Sequence, residues 1–166
     1  MIALGVDPGT AITGYGIVKD SPDGRLLEIC HGVIRTDSKT PYSLRLKEIH
    51  DSISYLIEKH KPQAIAIEQI FFNKNVATAL TVGQSRGAVI LTAALAGLEL
   101  SEYTPIQVKE AVTGYGHAEK IQVQQMVKVL LGLDKIPRPD DAADALAIAI
   151  CHLNSYKMLL KKEYAR

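Results

Sequence analysis

Apolar and polar positions change rhythm several times along the 166-residue chain, and each change predicts an element. Ile2-Ala3-Leu4-Gly5-Val6 is a short apolar run that suits a buried strand. Two further strands are predicted over Thr13 to Val18 and Leu26 to Ile34, with turn chemistry between them at Ser21-Pro22-Asp23-Gly24. Three consecutive strands with short links read as an antiparallel meander. The period then shifts to that of a helix. Leu46, Ile49, Ile53, Leu56 and Ile57 form one apolar stripe that begins after Pro41 and stops near His60-Lys61-Pro62. Ala64-Ile65-Ala66-Ile67 is wholly apolar and fits a central parallel strand, ending at Glu68.

Beyond it, Asn75 to Leu98 reads as a long Ala-rich helix, with Gly83, Gly87 and Gly97 allowing close packing. Leu100 to Tyr103 is a fifth strand candidate, and Thr104-Pro105 opens a helix that Gly114-Tyr115-Gly116 breaks. Val123, Met126, Val127, Leu130 and Leu131 mark another helix, closed by Gly132. A last helix follows Pro139 and carries Asp141 and Asp144, with Asp140 as its expected cap. The order is βββαβαβααα, an α/β fold with one antiparallel edge. No linker or repeat interrupts it. One domain over 1–156 is expected, followed by a short basic tail over 157–166.

Composition narrows the function classes. An apolar share of 47% and a charged share of 22% are those of an ordinary globule large enough to need neither disulfide nor structural metal. Cys30 and Cys151 lack metal-ligand spacing and read as reduced thiols, and the histidines are scattered. No basic leader precedes the first strand and no apolar run reaches membrane-spanning length, so a cytoplasmic location is expected. Net charge is only +1. If several carboxylates are set aside in one site, the rest of the surface turns clearly positive, as DNA binding would need.

Four acids fall where chemistry is possible. Asp7 ends an apolar strand at the turn Pro8-Gly9-Thr10, although an Asp there also serves a turn. Glu68 stands at the carboxyl end of a central strand, where a charge is costly unless paired or metal-bound and where open α/β sheets bind ligands. Asp141 and Asp144 are three apart and share one helix side, although acids also favour a helix start for its dipole. Brought together, such carboxylates repel one another, and a hard divalent cation relieves the repulsion. Two such ions about 4 Å apart can bind one phosphodiester, activate a water and steady the leaving oxygen.

The motifs resemble those of the RuvC family in collinear order over essentially the whole chain. They are Asp7-Pro8-Gly9-Thr10 with Thr13-Gly14-Tyr15-Gly16, then the run from Ala66 through Glu68 to Asn75, then Gly83-Gln84-Ser85-Arg86-Gly87. Ala118-Glu119-Lys120-Ile121-Gln122-Val123 and the run from Asp141 to Ile150 complete the set. The resemblance implies an RNase H-like fold with a mixed five-stranded sheet, and a homodimer that resolves four-way DNA (Holliday) junctions. It implies Mg²⁺, two ions per site with Mn²⁺ as a substitute, held by Asp7, Glu68, Asp141 and Asp144. It also implies paired symmetric nicks in a short T-rich sequence, ends that a ligase can seal, and work beside the RuvA–RuvB branch-migration complex. Some members carry His at the third acidic position, where this chain has Asp141, and Asp140 beside it leaves the register ambiguous by one residue.

Phe71 and Phe72, the only phenylalanines, follow Glu68 and precede Asn73-Lys74-Asn75, which favours an exposed loop over core packing. Aromatic rings there can stack on unpaired junction bases. Lys109 and Lys120 match basic positions that the resemblance places against DNA; Lys74 and Arg86 are weaker candidates, since most helix lysines are merely solvated.

Overall fold

The computed structural model describes residues 1–69 and 76–164. Its elements run β1 (Ile2–Asp7), β2 (Ile12–Asp20), β3 (Leu26–Arg35), α1 (Tyr42–His60), β4 (Ala64–Glu68), α2 (Val76–Leu95), β5 (Glu99–Tyr103), α3 (Pro105–Thr113), α4 (Lys120–Leu130) and α5 (Asp140–Tyr164). The sheet order is β3-β2-β1-β4-β5. The meander β1-β2-β3 is antiparallel, while β4 and β5 run parallel to β1 on its other side. The β2–β3 turn closes where Gly24 adopts φ +84°, a conformation that glycine enters without a Cβ penalty. There the Gly24 N–H donates to the Ser21 carbonyl at 2.9 Å.

Alternation along the strands makes the two sheet faces unequal. One face presents Leu4, Val6, Ile17, Ile65 and Ile67, which pack on Ile49, Ile53 and Leu56 of α1 and on Val89 and Ala93 of α2. The other presents Ala3, Val18 and Ala66, with glycines between them, and takes α5, backed by α3 and α4. Bulk on one face and small residues on the other let α5 lie close against the strands. An added Cβ on Gly5 would stand 2.1 Å from the Ala145 carbonyl oxygen, and one on Gly14 would stand 2.0 Å from that of Asp141. Glycine inside a strand marks such a close backbone approach.

The element order agrees with the pattern of the sequence, and three details differ. The fifth strand starts at Glu99, and α2 ends at Leu95, because Gly97 turns the chain at φ +67° instead of continuing the helix. Among the described residues Gly83 and Gly87 serve no close packing within the chain: a Cβ on either would meet open space. Asp140 is not a cap before α5 but its first residue, and its carboxylate pairs with Arg138 and lies 3.7 Å from Lys120. α5 itself crosses position 156 unbroken. Lys157 is tied to the body through an ion pair with Asp20 at 2.7 Å and a bond to the Gly24 carbonyl at 3.3 Å. Among the described residues no helix is long and apolar enough to cross a membrane.

Candidate active site

The sheet face that receives α5 is also the face that carries the acids. Along β1, Asp7 shares the side of Ala3 and Gly5; along β4, Glu68 shares that of Ala64 and Ala66, by the two-residue period. The β1–β4 register pairs Val6 with Ile67, so Asp7 and Glu68 are next in line on neighbouring parallel strands. On its other side Asp7 pairs with Gly14, the residue on which the Asp141 backbone rests. The N-terminal turns of α5 are thereby brought over the carboxyl ends of β1 and β4.

A cavity of about 300 Å³ opens there, lined by Asp7, Glu68, Asp144, Lys109 and Lys120 among others. Asp141 does not line it. It stands close enough for its charge to raise the pKa of Asp7. The two lysines come from helices whose starts the sequence specifies. Thr104 and Gln107 form a reciprocal capping box ahead of α3, with Pro105 in the first turn, and Glu119 and Gln122 do the same ahead of α4. Lys109 follows in α3, and Lys120 opens α4.

Electrostatics in the cavity favour a cation. Burial, then the charges of Asp144, Glu68 and Asp141, push the Asp7 carboxyl up to about 7. Burial and Asp144 also raise Glu68, against the opposing pull of Lys109 and Lys120. Asp144 is raised by burial, even though the Lys120 ammonium bonds it at 2.9 Å. Among the described residues no three Asp, Glu, His or Cys side chains are gathered as a ready-made metal site. Lys120 supplies the positive charge at Asp144 in this arrangement. The donor set nonetheless fits a hard divalent ion: carboxylate oxygens only, partly buried, with more negative charge than two lysines offset.

Other expectations for this region separate. Phe71, Phe72 and Lys74 lie outside the described residues. Arg86, a weaker candidate for DNA contact, points inward: its side chain is 12% exposed and engages Glu102 and the Glu68 carbonyl. The glycine notches at Gly5 and Gly14 were not singled out from the sequence, although glycine within a strand pattern is the signal that marks them.

A family model described as crossover junction endodeoxyribonuclease RuvC matches residues 3–152. A crossover junction endodeoxyribonuclease RuvC of Syntrophomonas wolfei is 54% identical over 158 residues, covering 95% of this chain and 91% of the relative. That of Ruminiclostridium cellulolyticum is 53% identical, covering 95% of each. The Thermus thermophilus RuvC structure superposes with a TM-score of 0.89 at 37% identity, over 95% of this chain and 96% of that one. T. thermophilus RuvC in complex with Holliday junction substrate gives 0.88 at 34%, with the same coverage. The yeast mitochondrial Holliday junction resolvase Ydc2, at 16% identity and a TM-score of 0.70, shares the fold. The mixed five-stranded sheet with its flanking helices is accordingly RNase H-like. With the match spanning nearly its whole length, the chain belongs to the RuvC family of crossover junction endodeoxyribonucleases.

Proposed function

We propose that this protein resolves Holliday junctions by making paired symmetric nicks through two-metal-ion hydrolysis, with Asp7, Glu68, Asp141 and Asp144 as its acidic groups. It is a nuclease of a metal-dependent family. The observation that carries the reading is the meeting of Asp7, Glu68 and Asp144 from remote segments in one cavity flanked by Lys109 and Lys120. Mg²⁺, with Mn²⁺ as a substitute, would be held by these carboxylates and would supply Lewis-acid chemistry to the phosphodiester and the attacking water. Water oxygen bonds to phosphorus as the bond to the 3′ oxygen breaks, leaving a 5′-phosphate and a 3′-hydroxyl. The chain's own groups do the rest. Asp7 and Glu68, on adjacent strand ends, hold their oxygens in fixed relation. Asp144 and Asp141 add charge from α5. Lys109 and Lys120 stand at the rim where a phosphate enters, and Lys120 exchanges its bond to Asp144 for the strand's phosphates.

Phe71, Phe72 and Lys74 come three to six residues after Glu68 in the chain. Stacking of their rings on splayed bases, worth about 1–3 kcal/mol per base, would hold the branch point open. Paired cuts need two matched sites, which a two-fold homodimer presents. α2 offers the surface for it: Leu80, Leu91 and Leu95 are exposed along one stripe, with Gly87 open between them. Leu91→Glu is expected to turn dimer into monomer in sedimentation runs and to leave single, unpaired nicks; an undisturbed dimer would move the interface elsewhere. In the cytoplasm the enzyme would act beside the RuvA–RuvB branch-migration complex.

The test is cleavage of a synthetic four-way junction with each strand end-labelled in turn, with and without Mg²⁺. Symmetric nicks in opposing strands are expected, with linear duplex and structured RNA left uncut. Equal cutting of all three substrates, or cutting unaffected by chelation, would overturn the reading.

A further inference from the structure

Arg86 has a place in the fold that DNA binding does not explain. It lies on α2, nearly buried, and spans two partners at the ends of β4 and β5. One guanidinium nitrogen, Nη1, donates to the Glu68 carbonyl oxygen, and the other, Nη2, pairs with Glu102 Oε2 at 2.7 Å. Glu102 faces Ile67 across the β4–β5 ladder, one step before Glu68 meets Tyr103. The ladder closes with the Gln69 N–H donating to the Tyr103 carbonyl at 2.7 Å. Glu68 is thus the last paired residue of its strand, and Arg86 takes up its carbonyl from the side.

The charge balance says what the arrangement is for. A guanidinium this deep is costly unless compensated, and Glu102 compensates it. The guanidinium meets Glu68 at its backbone carbonyl and meets Glu102 at its side-chain carboxylate. Arg86 therefore grips Glu68 by its peptide carbonyl. A lysine in its place, with one compact ammonium, lacks the rigid fork that reaches carbonyl and carboxylate together.

We propose that Arg86, balanced by Glu102, is a positioning residue that fixes the Glu68 peptide at the end of β4 and so aims the Glu68 carboxylate into the cavity. The inference rests on the reading of Glu68 as one of the metal-binding acids. A misplacement of about 1 Å at a reacting centre can cost on the order of 100-fold in rate.

Three variants test it: Arg86→Lys, the apolar pair Arg86→Met with Glu102→Leu, and Glu68→Gln as reference. The apolar pair removes the nearly buried guanidinium together with its more exposed partner carboxylate, so it folds without an orphaned ion. Two measurements are made on each: single-turnover cleavage at saturating junction, and Mn²⁺ binding without DNA, followed by the loss of the free-ion electron spin resonance signal. Arg86→Lys and the apolar pair are expected to cut roughly 10- to 100-fold more slowly. Their junction affinity should be unchanged and their Mn²⁺ affinity lower. Wild-type cleavage and Mn²⁺ binding in the apolar pair, beside an inactive Glu68→Gln, would overturn the positioning role and leave Glu68's role standing. An active Glu68→Gln would instead remove the reading on which it rests. A fall in junction affinity with an unchanged rate at saturation would make Arg86 a DNA contact and end the proposal.

Discussion

Asp7→Asn is expected to slow cleavage of a four-way junction by about 1,000-fold or more, with junction affinity kept within a small factor. Removing one preorganised charge at a reacting phosphate has a cost of that order, and Asp7 is the most enclosed of the acids in the cavity. The same substitution should stabilise the metal-free protein, and here the sign follows from linkage. The Asp7 carboxyl titrates at about 7 in the fold, against 3.8 when unfolded. Between those values the folded chain binds a proton that the unfolded chain has lost, so stability falls as pH rises from about 4 to 7. Above 7 the whole cost of the buried charge is present, on the order of a few kcal/mol. Asp7→Asn removes that cost. Denaturant unfolding at pH 8 without metal should therefore give a higher midpoint for the variant, and at pH 4 the two proteins should converge. Divalent ion should stabilise the wild type more at pH 8 than at pH 5, since uptake must displace a proton. Identical pH profiles for the two proteins would mean that Asp7 is not under the electrostatic load described.

Gly5→Ala and Gly14→Ala should each cost about 3 kcal/mol or more, the upper end for overpacking, although each adds one methyl group. At both positions the obstacle is backbone: the Ala145 carbonyl at 2.1 Å and the Asp141 carbonyl at 2.0 Å. A carbonyl within a helix cannot swing aside as a side-chain tip can. α5 must lift off the sheet, and Asp141 and Asp144 lift with it. Thermal unfolding should fall by roughly 6–12 °C for a chain of this size. Gly14→Ala, nearer the acids, should lose more cleavage than its stability alone predicts. If both variants unfold within about 2 °C of wild type, the close seat of α5 on β1 and β2 is not what holds the acids in place.

How much of this was legible beforehand differs from element to element. α1 announces itself through Ile49, Ile53 and Leu56, and β4 through an unbroken apolar run, because burial on one helix face or both strand faces leaves a periodic trace. The start of α3 is legible in Thr104-Pro105, whereas the sequence marks α4 only by its apolar stripe, and the Glu119–Gln122 capping box ahead of it comes from the structure. The pattern carries α2 on to Leu98 whereas the helix ends at Leu95, because Gly97 inside an Ala-rich run resembles a tolerated helical glycine until its φ is known. The sequence suggests Asp140 as a cap, whereas it opens α5 and its carboxylate pairs with Arg138 and Lys120.

The sequence by itself determined the order of strands and helices and the family, both of which are carried by motifs whose residues lie a few positions apart. Only the tertiary structure decided that Asp7, Glu68 and Asp144 share one cavity, that Asp141 stands beside it, and that Arg86 turns inward to Glu68 and Glu102. The physical reason is distance along the chain. Periodicity and capping report interactions within a turn or two, whereas the cavity depends on α5 settling into a notch cut by glycines more than a hundred residues before it.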